Sequence, residues 1–123
     1  MLLDLNAFLN AEPKAPRVRP TTGERLVAAL RKLAGERAEI VSHSETAWAS
    51  VTFTGSRHTV LLRFNGWEAC DDGENFVADL PDHEFTLPCV LVADATVTRN
   101  EQVLLPEPAM DVEVELLLLD NRD

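Results

Sequence analysis

Two stretches of alternating apolar and polar side chains, residues 47–54 and 57–64, dominate the hydrophobic pattern of this chain. Alternation is typical of β-strands, because successive side chains point to opposite faces of a sheet. Gly55 and Ser56 separate the stretches, and a glycine that opens a two-residue loop is typical of a type II′ turn. We therefore predict a hairpin that turns at Gly55. The pairs expected on its buried face are Phe53 with His58, Val51 with Val60, Ala49 with Leu62 and Ala47 with Phe64, and Trp48 is expected beside Arg63 on the other face.

A helical pattern begins after Pro20. Thr21 and Glu24 have the spacing of a capping box, in which the hydroxyl accepts from a first-turn amide and the carboxylate accepts from the amide of the cap. The next apolar residues form one stripe at helical spacing: Leu26, Val27, Leu30, Leu33 and Ala34. Gly35 is placed to end the helix. We predict one main helix here.

The rest of the chain favours further strands. These are expected at residues 39–43, 67–70, 84–87, 90–98 and 110–119, with turns at residues 44–46 and at Asn65-Gly66 and a polar loop at residues 71–75, while segment 76–80 is left without a type. The predicted fold class is α+β, with one main N-terminal helix packed on an antiparallel sheet of five to seven strands.

The first twenty residues differ in character from the remainder of the chain. Leu2, Leu5, Phe8 and Leu9 are apolar at helical spacing, and residues 11–20 hold three prolines, which favour an extended chain. We therefore divide the chain into an N-terminal apolar arm with a proline-rich linker, residues 1–20, and a single α+β domain, residues 21–123. We expect the chain to be a homo-oligomer, in the first instance a dimer, formed through this arm or through a sheet edge. Folding of the arm onto its own chain is the alternative.

Length and cysteine content indicate a small cytoplasmic protein. The 123 residues are enough for one domain with its own core. Cys70 and Cys89 are too few for a disulfide framework, and the N-terminus lacks the basic leader of a secretory signal. No apolar run approaches the roughly 18 residues that a bilayer-spanning helix needs, so no membrane partner is expected.

The charge of the chain is strongly negative and unevenly distributed. The formal net charge is −10, of which residues 1–40 contribute +2 and residues 41–123 contribute −12. An acidic surface repels phosphate backbones, so we expect no nucleic-acid partner. The simplest interpretation of this charge is a solvated surface that favours solubility.

Motifs for catalysis or cofactor binding are absent from the sequence. There is no nucleophile elbow, phosphate-binding glycine loop or dinucleotide fingerprint, so no catalytic residue is assigned and no cofactor is expected. The acidic residues 71–75 lack the ligand spacing of an EF-hand, and the histidines show no zinc spacing, so no metal site is expected either. His58 is interpreted as a histidine at the rim of the apolar sheet face.

Three polar side chains remain as candidate pocket groups: Asp94, which interrupts an apolar strand, and His43 and His83, which each have a carboxylate near an imidazole. Two functions are consistent with these observations. The first is a non-catalytic interaction or assembly module, which we prefer because catalytic motifs are missing. The second is a small-molecule-binding protein or minor enzyme with a pocket between helix and sheet, its ligand unknown. A cavity lined by an imidazole and a carboxylate would favour the second.

Overall fold

The computed structural model describes residues 19–121. Its elements are α1 (Thr22–Ala34), β1 (Ala38–Ala49), β2 (Thr54–Asn65), α2 (Trp67–Asp79), a 3₁₀ turn (Leu80–Asp82), β3 (Val90–Val103) and β4 (Ala109–Asp120). The strands form one antiparallel sheet in the order β1-β2-β4-β3, so β1 and β3 are its edges. The predicted α+β character is therefore right in outline. The prediction of one helix on five to seven strands is wrong, because the described chain has two α-helices and four strands.

Helix α1 begins and ends as predicted. The Glu24 amide donates to Thr21 Oγ1 over 3.1 Å, and the Thr21 amide donates to Glu24 Oε1 over 2.8 Å, which completes the capping box. Gly35 ends the helix with φ +97°, a left-handed conformation that favours glycine. The buried residues of the helix, Gly23, Leu26, Leu30 and Ala34, include three members of the predicted stripe.

The predicted turn at Gly55 is wrong. The chain turns at residues 50–53 instead, where the Ser50 amide donates to the Phe53 carbonyl over 2.8 Å and the Phe53 amide donates to Ser50 Oγ over 3.1 Å. Gly55 lies within β2, between Trp48 of β1 and Leu119 of β4. A Cβ atom at Gly55 would run into the carbonyl oxygen of Leu118. This glycine therefore allows a close approach between two strands and does not form a turn.

The shift of the turn changes the register of the hairpin. Every predicted pair is wrong, because Ala47 faces Ser56, Ala49 faces Thr54 and Trp48 faces Gly55. Val51 and Phe53 lie in or beside the turn and are exposed, so neither faces a strand partner on a buried side. The predicted face of β2 is nevertheless confirmed, since its alternate residues His58, Val60, Leu62 and Phe64 are all buried. Alternation identified the buried side of β2 correctly even though the partner strand was misplaced.

Helix α2 replaces the predicted third hairpin strand and polar loop, which are both wrong. Gly66 has φ +93°, and its amide donates to the Pro108 carbonyl over 2.8 Å, so the chain leaves β2 directly into the helix. The buried residues of α2, Ala69, Cys70, Gly73 and Phe76, have helical spacing. Two further assignments are wrong. Residues 44–46, predicted as a turn, belong to β1, and residues 84–87, predicted as a strand, lie in an irregular connection. Residues 76–79, for which no type is predicted, complete α2.

Both helices pack on one face of the sheet and enclose the core. The central strands β2 and β4 supply most of it, because every second residue from His58 to Phe64 and from Met110 to Leu118 is buried. Gly73 marks the closest approach of α2 to the sheet, since a Cβ there would lie 2.9 Å from the Phe64 ring and 2.8 Å from Met110 Sδ. Phe85 and Leu87, in the connection before β3, pack against the same core.

The arm residues Leu2, Leu5, Phe8 and Leu9 lie outside the described residues. Within residues 19–121, neither helix has the length and hydrophobicity that crossing a membrane requires.

Candidate functional site

A chain of three polar side chains lies between β1 and β2 on the helix-covered face of the sheet. His58 is completely buried; its Nδ1 atom lies 2.9 Å from His43 Nε2, and its Nε2 atom lies 2.8 Å from Ser56 Oγ. Ser56 and His58 share a face because they are alternate residues of one strand. We call Ser56, His58 and His43 the histidine cluster.

A bulge in β1 brings His43 into the histidine cluster. The pairing between β1 and β2 shifts between Ile40 and Ser42, so that Ile40 faces Leu62 and His43 faces Val60. The shift places these two β1 residues, three apart in sequence, opposite buried positions on one face of β2. Gly23 of α1 lies over the cluster, because a Cβ there would be 2.9 Å from His43 Cε1.

Burial lowers the tendency of His58 to become charged. The pKa of His58 is lowered, first because its imidazole is removed from water and also because His43 is near, while the Glu45 carboxylate opposes this by raising it. His58 is therefore held neutral, with one ring nitrogen that donates and one that accepts. A hydroxyl bonded to such an imidazole is also the start of a nucleophilic arrangement. Because His58 has no accessible surface, whereas His43 is exposed, we interpret the cluster as a satisfied polar group at the margin of the core.

The other two candidate pocket groups lie elsewhere. Asp94 is an exposed residue of β3, at the edge of the sheet opposite β1, and accepts a hydrogen bond from Thr96 Oγ1 over 3.1 Å. His83 comes directly after the 3₁₀ turn, and its ring packs edge-on against Phe85 with centroids 4.5 Å apart. The described chain thus places Asp94, His43 and His83 on three different elements, with no hydrogen bond between any two of them.

His83 does line an open cavity. The cavity has a volume of about 340 Å³ and lies between α1 and the connection that precedes β3, with Ala29, Lys32, Leu33, His83, Glu84 and Thr86 around it. An imidazole, a carboxylate and an ammonium group therefore meet at one depression. No group of three or more metal-binding side chains occurs among residues 19–121.

The face of the sheet that the helices leave open is polar along its centre. Arg63 binds Asp111 through two hydrogen bonds of 2.9 and 3.1 Å, Arg57 pairs with Glu115 at 2.9 Å, and a third ion pair joins β3 to β4. The bidentate contact raises the pKa of Arg63 and lowers the pKa of Asp111. These side chains satisfy one another across neighbouring strands, so this face presents paired charges to solvent.

A group of four exposed large apolar side chains lies at one end of the sheet. We call it the end patch: Trp67, Val103, Leu104 and Leu105, which are 66%, 55%, 63% and 83% exposed. Val103 ends β3 opposite Ala109, and Trp67 begins α2 next to Gly66, whose amide binds Pro108. Both parts of the patch therefore lie at the end of the sheet where β3 turns into β4.

A cavity and several carboxylates border the end patch. The cavity, of about 180 Å³, is lined by Arg63, Glu101, Val103, Ala109, Met110 and Asp111. Glu68 is next to Trp67 in the first turn of α2, and Glu107 lies in the loop between β3 and β4. The end patch is thus an apolar surface with an acidic border.

Sequence reasoning missed both the histidine cluster and the end patch as possible sites. It assigned His58 to a rim and Ser56 to a turn, whereas both are inside β2. The signal for the end patch was present in the sequence, since Val103, Leu104 and Leu105 form an apolar run directly before a proline, between the strands predicted at residues 90–98 and 110–119.

No protein-family model matches this chain, and no curated protein matches it. A similar fold occurs in a solved structure described as "Virion of native gene transfer agent (GTA) particle". The match has a TM-score of 0.55 and 11% sequence identity, and it covers 75% of this chain and 85% of the virion chain. At that identity the likeness concerns the fold alone.

Proposed function

We propose that this chain is a structural assembly module, not an enzyme, and that copies of it associate through the end patch. The observation that carries the proposal is the exposure of four large apolar side chains at one end of the sheet. Large apolar side chains exposed together at one end of a fold are typical of interaction sites.

The fold of the virion protein supports the same function. That protein is part of a particle, and its fold is similar to this one over most of both chains. A compact α+β unit with an apolar end is suited to repeated contacts, because each copy then offers the same surface to its neighbours.

The energies are of the right size for a weak to moderate association. Burying one large apolar side chain contributes about 1.5–3 kcal/mol when it goes from fully exposed to fully buried. Four partly exposed side chains therefore contribute several kcal/mol, which is comparable with the roughly 4–15 kcal/mol that association costs. Further contacts outside the end patch are needed for tight binding.

Sedimentation of the full chain at tens of micromolar tests the proposal. We expect wild type to sediment as an oligomer, and the variant Leu104→Asp/Leu105→Asp to sediment as a monomer with an unchanged circular dichroism spectrum. The matched control is Val51→Asp, because Val51 is 106% exposed and lies in the β1–β2 turn. A monomeric wild type, or an oligomer that the double variant leaves intact, would overturn the proposal.

A second function has one specific observation in its favour. The cavity beside His83 brings together an imidazole, the Glu84 carboxylate and the Lys32 ammonium group, as a small-molecule site requires. A library of small carboxylates and amines, screened by NMR against wild type and His83→Ala, tests it. Shifts confined to residues around the cavity and lost in the variant would support it; an absence of such shifts would oppose it.

A further inference from the structure

We propose that the occupant of the end patch is the N-terminal segment, residues 1–18, of a second copy of the chain. This inference rests on the proposed function and deepens it, because it names what binds the patch. In this arrangement the copies contact one another head to tail, because the N-terminal segment of one copy binds the end patch of the next.

The N-terminal segment and the end patch are both apolar. Within its first nine residues the segment has the large apolar residues Leu2, Leu3, Leu5, Phe8 and Leu9. The end patch is an apolar surface of similar extent, bordered by a cavity. Contact between them removes both apolar surfaces from water, which is favourable.

The charges at the base of the segment complement those around the patch. Lys14 and Arg17, with Arg19 directly after the segment, come after Asp4 and Glu12 and make this part of the chain locally basic, whereas the patch is bordered by acids. Neither Glu101 nor Glu107 forms an ion pair with another residue of the range 19–121. A patch-to-patch contact would bring two acidic borders together, which is unfavourable, while an arm-to-patch contact brings opposite charges together.

The N-terminal segment joins the domain away from the end patch. The described chain starts at Arg19, next to the N-terminus of α1, where Gly23 lies against His43. His43 is farther from the end patch than Ala38, because His43 pairs with Val60 and Ala38 pairs with Phe64, near the end of β2. Helix α1 runs back toward that end over 13 residues, about 20 Å.

The N-terminal segment therefore leaves its own domain beside the middle of β2, about 20 Å from the end of the sheet that carries its own patch. A proline-containing linker of about ten residues reaches up to about 30 Å when extended, so the apolar residues can extend to a neighbouring copy. Head-to-tail contacts of this type produce closed rings or open chains of subunits, according to the angle between neighbours.

Mixing two complementary variants provides the test. The arm variant, Leu5→Asp/Phe8→Asp, keeps its patch, and the patch variant, Leu104→Asp/Leu105→Asp, keeps its arm. We expect each to sediment as a monomer alone, and an equimolar mixture to form a complex of one copy of each that grows no further, since only one junction remains. We also expect wild-type association to weaken as salt rises, because opposite charges are screened.

The outcomes separate this inference from the proposed function. If the arm variant alone assembles as wild type does while the patch variant does not, the end patch mediates assembly but its occupant is not the arm. If the mixture stays monomeric, or if salt strengthens wild-type association, the arm-to-patch contact between copies is likewise overturned. If the patch variant keeps the wild-type mass, the proposed function itself fails.

Discussion

His43 Nε2 lies 2.9 Å from His58 Nδ1, and the two rings stack with their centroids 5.1 Å apart and their planes 22° from parallel. Only one of the two facing nitrogens can carry the proton of this hydrogen bond, because two N–H groups would repel each other. Protonation of both rings therefore breaks the bond and places two positive charges side by side. We therefore expect the buried member of the pair, His58, to make the fold sensitive to acid.

The first prediction concerns pH. The pKa of His58 is lowered from the usual 6.5 of an unfolded histidine, so between these two values the unfolded chain binds more protons than the folded one. The free energy of unfolding is therefore expected to fall as pH decreases from about 7 through 6.5, until the lowered pKa is passed. Urea unfolding of wild type and His58→Gln between pH 8 and pH 5 measures this, and the variant is expected to show the smaller slope.

The control for this pH dependence is His83→Gln, because His83 is an exposed residue outside the histidine cluster. It is expected to keep the wild-type slope. If His58→Gln also keeps it, the buried imidazole is not the source of the acid sensitivity.

The second prediction concerns the contact between α2 and the sheet. Gly73→Ala gains about 1 kcal/mol of helix propensity. Its new methyl group would meet the buried Phe64 ring at 2.9 Å, and overpacking of this kind typically costs about 1–3 kcal/mol. We expect a net loss of about 1 kcal/mol in the free energy of unfolding, measured by urea denaturation. The control is Asn75→Ala, at an exposed position of the same helix, which is expected to leave stability unchanged or to raise it slightly. If Gly73→Ala is more stable than wild type, the Phe64 and Met110 side chains move aside with no loss of stability.

The third prediction concerns the cap of α1. Thr21→Ala removes the acceptor of the Glu24 amide and is expected to lower the free energy of unfolding by about 1 kcal/mol. Thr22→Ala, at the first position inside the helix, is the comparison and should change stability much less. Equal effects of the two substitutions would mean that the capping bond does not contribute.

The fourth prediction concerns the open face of the sheet. Arg63→Lys keeps the positive charge but cannot make the two parallel hydrogen bonds to Asp111. Since both side chains are partly exposed, we expect a decrease in melting temperature of about two degrees or less that disappears at high salt. A large, salt-independent decrease would instead indicate that the Arg63 side chain is needed for packing.

The elements that sequence reasoning found are those whose causes are local. The capping box and stripe of α1 lie within fourteen residues and need no knowledge of the rest of the chain. The faces of β2 and β4 can be assigned from alternation for the same reason. The end patch, by contrast, combines Trp67 with residues 103–105, which are far away in the sequence, so no local pattern relates them.

The elements that sequence reasoning missed depend on contacts with distant residues. Gly55 and Gly73 both look like turn residues, but each is a glycine because another strand or ring lies against it. The bulge that brings His43 toward His58 depends on how two strands pair, and no local residue pattern signals it. His43 was therefore identified as a candidate while its hydrogen-bond partner was not.

The two edges of the sheet are irregular, whereas its centre is regular. β1 has one register shift and β3 has two, while β2 and β4 pair without a shift from Gly55–Leu119 to Asn65–Ala109. Bulged edge strands do not present a regular series of amides and carbonyls, so a strand from another molecule pairs poorly with them. The molecule can therefore expose apolar side chains at its ends without inviting the uncontrolled growth of β-fibrils.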